Sequence, residues 1–212
     1  MSKTALFKAA RAWDVATLAA FLAAQPDLAR AVDARGRTAL HVCAGRPLTP
    51  GTVEDGLATA RRLVDAGVDI NAIEEIPDDG EVFPATALWY AVARGRNFEL
   101  VRFLLESGAD PHHCLWAVVW ANDAPMARLL LDAGSDTELR FDGETPLLYA
   151  ARLGREQALQ ELLRARADIH VQDSKGRSPL DHARKRRLGE PILRALGGEQ
   201  PAATTVGRRG PR

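Results

Sequence analysis

The 212-residue chain contains no run of about 18 apolar residues, so no membrane-spanning helix is expected. Its N-terminal stretch, MSKTALFKAARAWDV, is an amphipathic pattern interrupted by Lys8, Arg11 and Asp14, which does not read as a secretory signal. Only two cysteines occur, Cys43 and Cys114, far apart and unsuited to a disulfide framework; a reducing cytoplasm is the expected setting. Net charge is zero, which gives the whole molecule no field to gather nucleic acid. Lysine is scarce beside arginine, a skew that reads as the codon usage of a GC-rich bacterial genome rather than as function. Chemistry-bearing motifs are also missing. There is no Gly-x-Ser-x-Gly elbow, no Walker loop or dinucleotide Gly-rich loop after a strand pattern, and no alternating acidic calcium loop.

What the chain does have is repetition. Leu147 and Leu180 lie 33 positions apart, and Leu6 and Leu40 lie 34 apart. Gly67-Val68-Asp69, Gly108-Ala109-Asp110 and Gly134-Ser135-Asp136 close three successive units. A period of this length implies a stacked array whose units bury their apolar faces against neighbours. Within a unit, the hydroxyl of Thr4, Thr38, Thr86, Thr145 or Ser178 is placed to cap a short inner helix. Pro146 and Pro179 suit the first helical position, and Gly95 and Gly154 are expected to end inner helices in a left-handed conformation. Apolar residues at helical spacing, Leu100, Phe103, Leu104 and Leu159, Leu162, Leu163, mark the outer helices.

The segments DARGRTALHVCA (33–44), PATALWYAVARGR (84–96), DGETPLLYAARLGR (142–155) and KGRSPLDHARKRR (175–187) resemble ankyrin repeats. The resemblance covers roughly residues 3–196. It implies an all-α solenoid of about six helix–turn–helix repeats with short β-hairpin fingers, in units near 3–32, 33–72, 82–112, 113–138, 140–171 and 173–197. Residues 1–197 form the array, and 198–212 read as a disordered tail. It further implies a non-enzymatic module that binds a partner protein through fingers and inner helices, as a monomer without cofactor or small-molecule substrate.

Carried over residue by residue, the partner-facing positions are Arg35, Arg37, Phe83, Phe141, Asp142, Glu144, Lys175 and Arg177 on the fingers. Arg94, Trp120 and Arg152 are their counterparts on the inner helices. Three departures from the repeat individualise the chain: an insertion at 46–56, an enlarged acidic finger at 73–83, and a fourth unit whose finger is largely missing. Trp120, beside that gap, is the expected anchor of an interface, at the floor of a notch. Glu74 and the acids that follow it read as a solvated negative finger. His41 occupies the family's histidine slot, where the ring bonds Thr38 and neighbouring finger backbone. Trp89 and Trp116 align with that slot, and Tyr90 and Tyr149 follow one residue later, half-buried.

Other readings carry less. His112-His113-Cys114 are adjacent and cannot all reach one tetrahedral metal ion. The run Arg184-Lys185-Arg186-Arg187 lies on a terminal helix that must be polar for solubility, and it lacks the interleaved aromatics of a single-strand nucleic-acid binder. Arg208, Arg209 and Arg212 allow a second reading, an exported effector directed at a host protein. A hydrolase or transferase is the most remote reading, because no acid, base and nucleophile come together in the sequence.

Overall fold

The computed structural model describes residues 2–49, 52–78 and 80–197. Twelve α-helices pair into six antiparallel hairpins among these residues: α1 (Lys3–Ala12) with α2 (Val15–Ala24), α3 (Ala39–Ala44) with α4 (Val53–Asp65), α5 (Ala87–Tyr90) with α6 (Phe98–Glu106), α7 (Leu115–Ala121) with α8 (Ala124–Asp132), α9 (Pro146–Leu153) with α10 (Glu156–Arg164), and α11 (Pro179–Arg186) with α12 (Glu190–Leu196). Odd-numbered helices form an inner layer: α1, α3 and α5 touch in order, as do α7, α9 and α11, and the π-type turn Ala91–Gly95 that continues α5 joins the two sets at α7. Outer helices contact one another along α2–α4–α6 and along α8–α10–α12. None of the described helices is long and apolar enough to cross a membrane. The all-α solenoid expected from the sequence is the architecture observed.

The core runs lengthwise between the two layers. Leu6, Leu40, Leu88, Leu115 and Leu147 recur from the inner helices, and Leu18, Leu63, Leu100, Leu130 and Leu159 from the outer ones, all fully buried. No unit could hold this core by itself, since each leucine is covered partly by the adjacent unit.

Helix starts follow capping chemistry. The hydroxyls of Thr86, Thr145 and Ser178 accept backbone N–H bonds from Trp89, Leu148 and Asp181. Pro146 and Pro179 open α9 and α11. At α1 the cap is Ser2 rather than the expected Thr4, because the helix begins one residue before Thr4.

His41 is buried and holds two units together. Its Nδ1 lies 3.1 Å from the Thr38 amide nitrogen and 2.9 Å from the Thr38 hydroxyl, while Nε2 is 3.3 Å from the Ala85 carbonyl. Burial pushes this imidazole below the usual histidine range, against the opposing pull of the Ala85 carbonyl and the Glu74 charge. The folded state therefore prefers neutral His41, and its stabilising contribution is complete above the unfolded value near 6.5 and lost as pH falls below it. The melting temperature is expected to fall as pH drops below about 6.5, and His41→Asn should flatten that slope. Imidazole titration by NMR checks the assignment directly; an ordinary or raised His41 pKa contradicts it.

Candidate functional site

Between the inner helices of the middle units and the enlarged finger lies a cleft of about 750 Å³. Its outer wall is the one two-stranded sheet among the described residues, β1 (Glu74–Asp78) antiparallel to β2 (Glu81–Ala85). The pairing sets Glu74 opposite Ala85, Ile76 opposite Phe83 and Asp78 opposite Glu81. Side chains alternate between faces of a strand, so these six share one face. That face turns to the array: Asp78 and Glu81 at the tip, Ile76 and Phe83 in the middle, and Glu74 and Ala85 buried at the base.

The buried base corrects the expectation of a wholly solvated acidic finger. Glu74 is 1% exposed, accepts a 2.5 Å hydrogen bond from the Tyr90 hydroxyl, and pairs with the Arg35 guanidinium at 2.5 Å. Tyr90 is accordingly buried rather than half-buried, and burial and the Glu74 bond raise its pKa, keeping the phenol a donor. Glu74→Ala leaves that hydroxyl short of its carboxylate acceptor and should cost about 1–3 kcal/mol. Glu74→Gln, which keeps an acceptor, should retain most of the stability. Denaturant unfolding compares the two; equal losses would mean that the hydrogen bond is not what anchors the hairpin.

The inner wall is aromatic. Phe83 lies 5.3 Å from Trp89 and 5.2 Å from Phe141, ring centre to ring centre, and Phe141 lies 6.2 Å from Trp116. The two Phe141 contacts are edge-to-face and Phe83–Trp89 is tilted, arrangements that add to the burial of the rings themselves. The continuous row crosses the place where the fourth unit's finger is missing. Phe141 and Glu144 close a tight turn by a single antiparallel bridge. The Asp142 amide then donates to the Glu81 carboxylate at 3.1 Å, tying that turn to the tip of the long hairpin.

Six of the eleven expected partner-facing residues meet here: Phe83, Trp120, Phe141, Asp142, Glu144 and Arg152. Their settings differ from expectation in places. Phe83 is 7% exposed and faces inward from mid-hairpin, so it is not a finger tip. Trp120 is 62% exposed, the Arg155 guanidinium 5.8 Å from its ring centre; the buried Trp116 belongs to the aromatic row in its stead. Arg152 is held by both Glu144 oxygens, at 2.6 and 2.7 Å, and lies over the Tyr149 ring at 5.2 Å.

The other five lie outside the cleft. Arg94 sits over Tyr90 at 5.1 Å, and Arg96 takes the place expected of it. The reason is register. Seven residues on from Thr86, His113 and Thr145 come Ala93, Trp120 and Arg152, all in the cleft lining, and Arg94 is one residue further round its helix. Arg35 is tied to Glu74. Arg37 and Arg177 are consumed by their own turns: Asp33 and Asp173 each bind the amide and guanidinium of the arginine four residues on. Lys175 is exposed on the last of these turns, away from the cleft.

Trp89, Trp116, Tyr149, Ile76, Asp78, Glu81 and Arg96 also line the cleft; of these, the sequence pointed toward a partner only through the acidic finger that carries Asp78 and Glu81. The two-residue alternation in 74–85 was the available signal for Ile76, Asp78 and Glu81.

Among the described residues no group of three or more His, Cys, Asp or Glu side chains converges to hold a metal ion. Both thiols are buried; burial pushes Cys43 up to about 12 and Cys114 strongly upward, so neither is a nucleophile at neutral pH. Arg208, Arg209 and Arg212, on which the exported-effector reading leaned, lie outside the described residues.

Protein PhlB of Serratia liquefaciens is 31% identical over 153 residues, which is 66% of this chain and 67% of PhlB. Neurogenic locus notch homolog protein 1 of Xenopus laevis is 31% identical over 150 residues, and the match spans 66% of this chain but only 6% of that protein. Among solved structures, an ankyrin repeat domain from Acinetobacter baumannii AYE superposes with a TM-score of 0.74 at 27% identity, covering 93% of this chain and 98% of that one. A chain in the complex of the Bdellovibrio bacteriovorus predatory endopeptidase with an immunity protein superposes with a TM-score of 0.67 at 21% identity, covering 94% and 100%. The ankyrin repeat sequence model matches residues 85–114, and its three-copy form matches 114–201. With its capped helix pairs, interposed fingers and these matches, the chain belongs to the ankyrin repeat family.

Proposed function

We propose that the chain is a non-enzymatic interaction module that grips a partner protein in the cleft between the long hairpin and helices α7 and α9. Ankyrin repeats are protein–protein interaction modules as a family, and the choice of surface rests on one observation. Trp120 stands 62% exposed in the wall of an aromatic cleft of about 750 Å³. Large aromatics are normally buried in a monomer, and those left in concave surfaces supply most of the energy of protein interfaces. The missing fourth finger favours the same surface, since a regular finger there would cover the α7 face. A solved ankyrin-like chain found in an endopeptidase–immunity protein complex accords with a protein partner for this architecture, without identifying it.

The test is affinity capture on immobilised full-length chain from the source cell, run beside Trp120→Ala. The proposal expects a protein retained by the wild type and lost from the variant. A partner retained equally by both places the interface elsewhere.

A further inference from the structure

The cleft carries more negative than positive charge once its internal pairs are removed. Glu144 and Arg152 neutralise each other through two hydrogen bonds. Asp78, Glu81 and Asp142 also line the cleft, and none forms an ion pair among the described residues. Only Arg96 opposes them in the lining, again without a carboxylate partner among the described residues. Two of the three acids sit at the hairpin tip and the third on the turn that meets it, so they form one rim, bound together where Glu81 accepts the Asp142 amide. Beneath this rim the lining is mixed, with the rings of Trp89, Trp116, Trp120 and Tyr149 beside the aliphatic Ile76 and Val92. The chain's own arginines already use those rings: Arg152 over Tyr149 at 5.2 Å and Arg155 near Trp120 at 5.8 Å.

Resting on the reading of the cleft as the partner site, we propose that its occupant is an arginine side chain presented by a segment of the partner protein. The guanidinium stacks on the exposed surface of Trp120 and is met by the carboxylates of Asp78, Glu81 and Asp142. A planar cation satisfies both features at once: its face suits an indole ring, and its edge donates paired hydrogen bonds to carboxylates. Lysine offers a point charge without the planar face and is the weaker occupant. A neutral apolar anchor would fill the volume but leave the rim's charge unanswered.

The probe is a short blocked peptide, Gly-Ser-Arg-Ser-Gly, titrated into full-length protein at low salt while the tryptophan indole NMR signals are followed. Its twin carries citrulline, the uncharged isostere of arginine. The arginine peptide is expected to shift the Trp120 signal and to bind about tenfold tighter than the citrulline peptide. Neutralising the rim by Asp78→Asn, Glu81→Gln and Asp142→Asn together should erase that difference while the melting curve stays cooperative. Equal binding of the two peptides overturns the proposal, as does no binding of either at millimolar concentration. Binding that emerges only after removal of residues 198–212 overturns it too, and makes the chain's own arginine-bearing tail the occupant. The wider reading fails separately. If Trp120→Ala loses the captured partner and the neutralised variant keeps it, the cleft binds a protein through something other than arginine. If both variants keep it, the cleft is not the interface.

Discussion

Replacing Gly95 with alanine is expected to destabilise the fold by about 3 kcal/mol, at the upper end of ordinary overpacking. A β-carbon built on Gly95 lies 2.2 Å from the Ala44 carbonyl oxygen, well inside any real carbon–oxygen contact. The obstacle is backbone at the end of α3, so no side-chain rotation relieves it. Either the inner helices of the second and third units separate, or the turn that follows α5 unwinds. For a chain of this size the loss corresponds to roughly 6–12 °C in melting temperature. Gly154 is the control. It closes α9 with φ of 72°, and its added β-carbon would meet nothing nearer than 3.6 Å, a side-chain methyl of Leu188. Gly154→Ala should therefore cost only the left-handed strain, about 1–2 kcal/mol. Thermal melts of the two variants separate the mechanisms; similar small losses would mean that the inner layer gives way easily at α3.

The second large effect is on binding and leaves the fold nearly untouched. Truncating Trp120 to alanine is expected to weaken the partner complex by at least about 2 kcal/mol, or roughly thirtyfold, as for a central aromatic anchor. Because the residue is 62% exposed, the same change should move folding stability by no more than about 1 kcal/mol. Trp116 behaves oppositely. It is 9% exposed within the aromatic row, and its loss should cost about 3–5 kcal/mol of stability. One turn of α7 thus separates a buried tryptophan from an exposed one.

That separation was half legible in the sequence. Repeat register placed Trp120 on the exposed side of its inner helix, and periodicity with caps identified the solenoid, because both are local properties of a regular helix. His41 also followed from its slot, since its partners Thr38 and Ala85 are fixed by the repeat itself. Failures came where one unit departs from the pattern. Gly95 and Gly154 occupy equivalent positions in sequence, yet Arg96, with φ of 49°, takes the left-handed conformation while Gly95 serves a close approach to Ala44. The π-type turn over Ala91–Gly95 moves the end of that helix, whereas Arg94 misses the cleft because it stands one residue past the register that lines it. Glu74 was unreadable as a buried anion because its partners, Tyr90 and Arg35, come from two other segments. Arg37 and Arg177 were a different matter, because the acid that holds each is only four residues away in the same turn.

The most direct test of the account is a paired measurement on Trp120→Ala: affinity for the captured partner by calorimetry, and the thermal melt of the variant alone. The account predicts affinity lower by at least about thirtyfold with a melting temperature within about 3 °C of wild type. Unchanged affinity, or a drop in melting temperature comparable to that of Trp116→Ala, would contradict it and make Trp120 part of the fold.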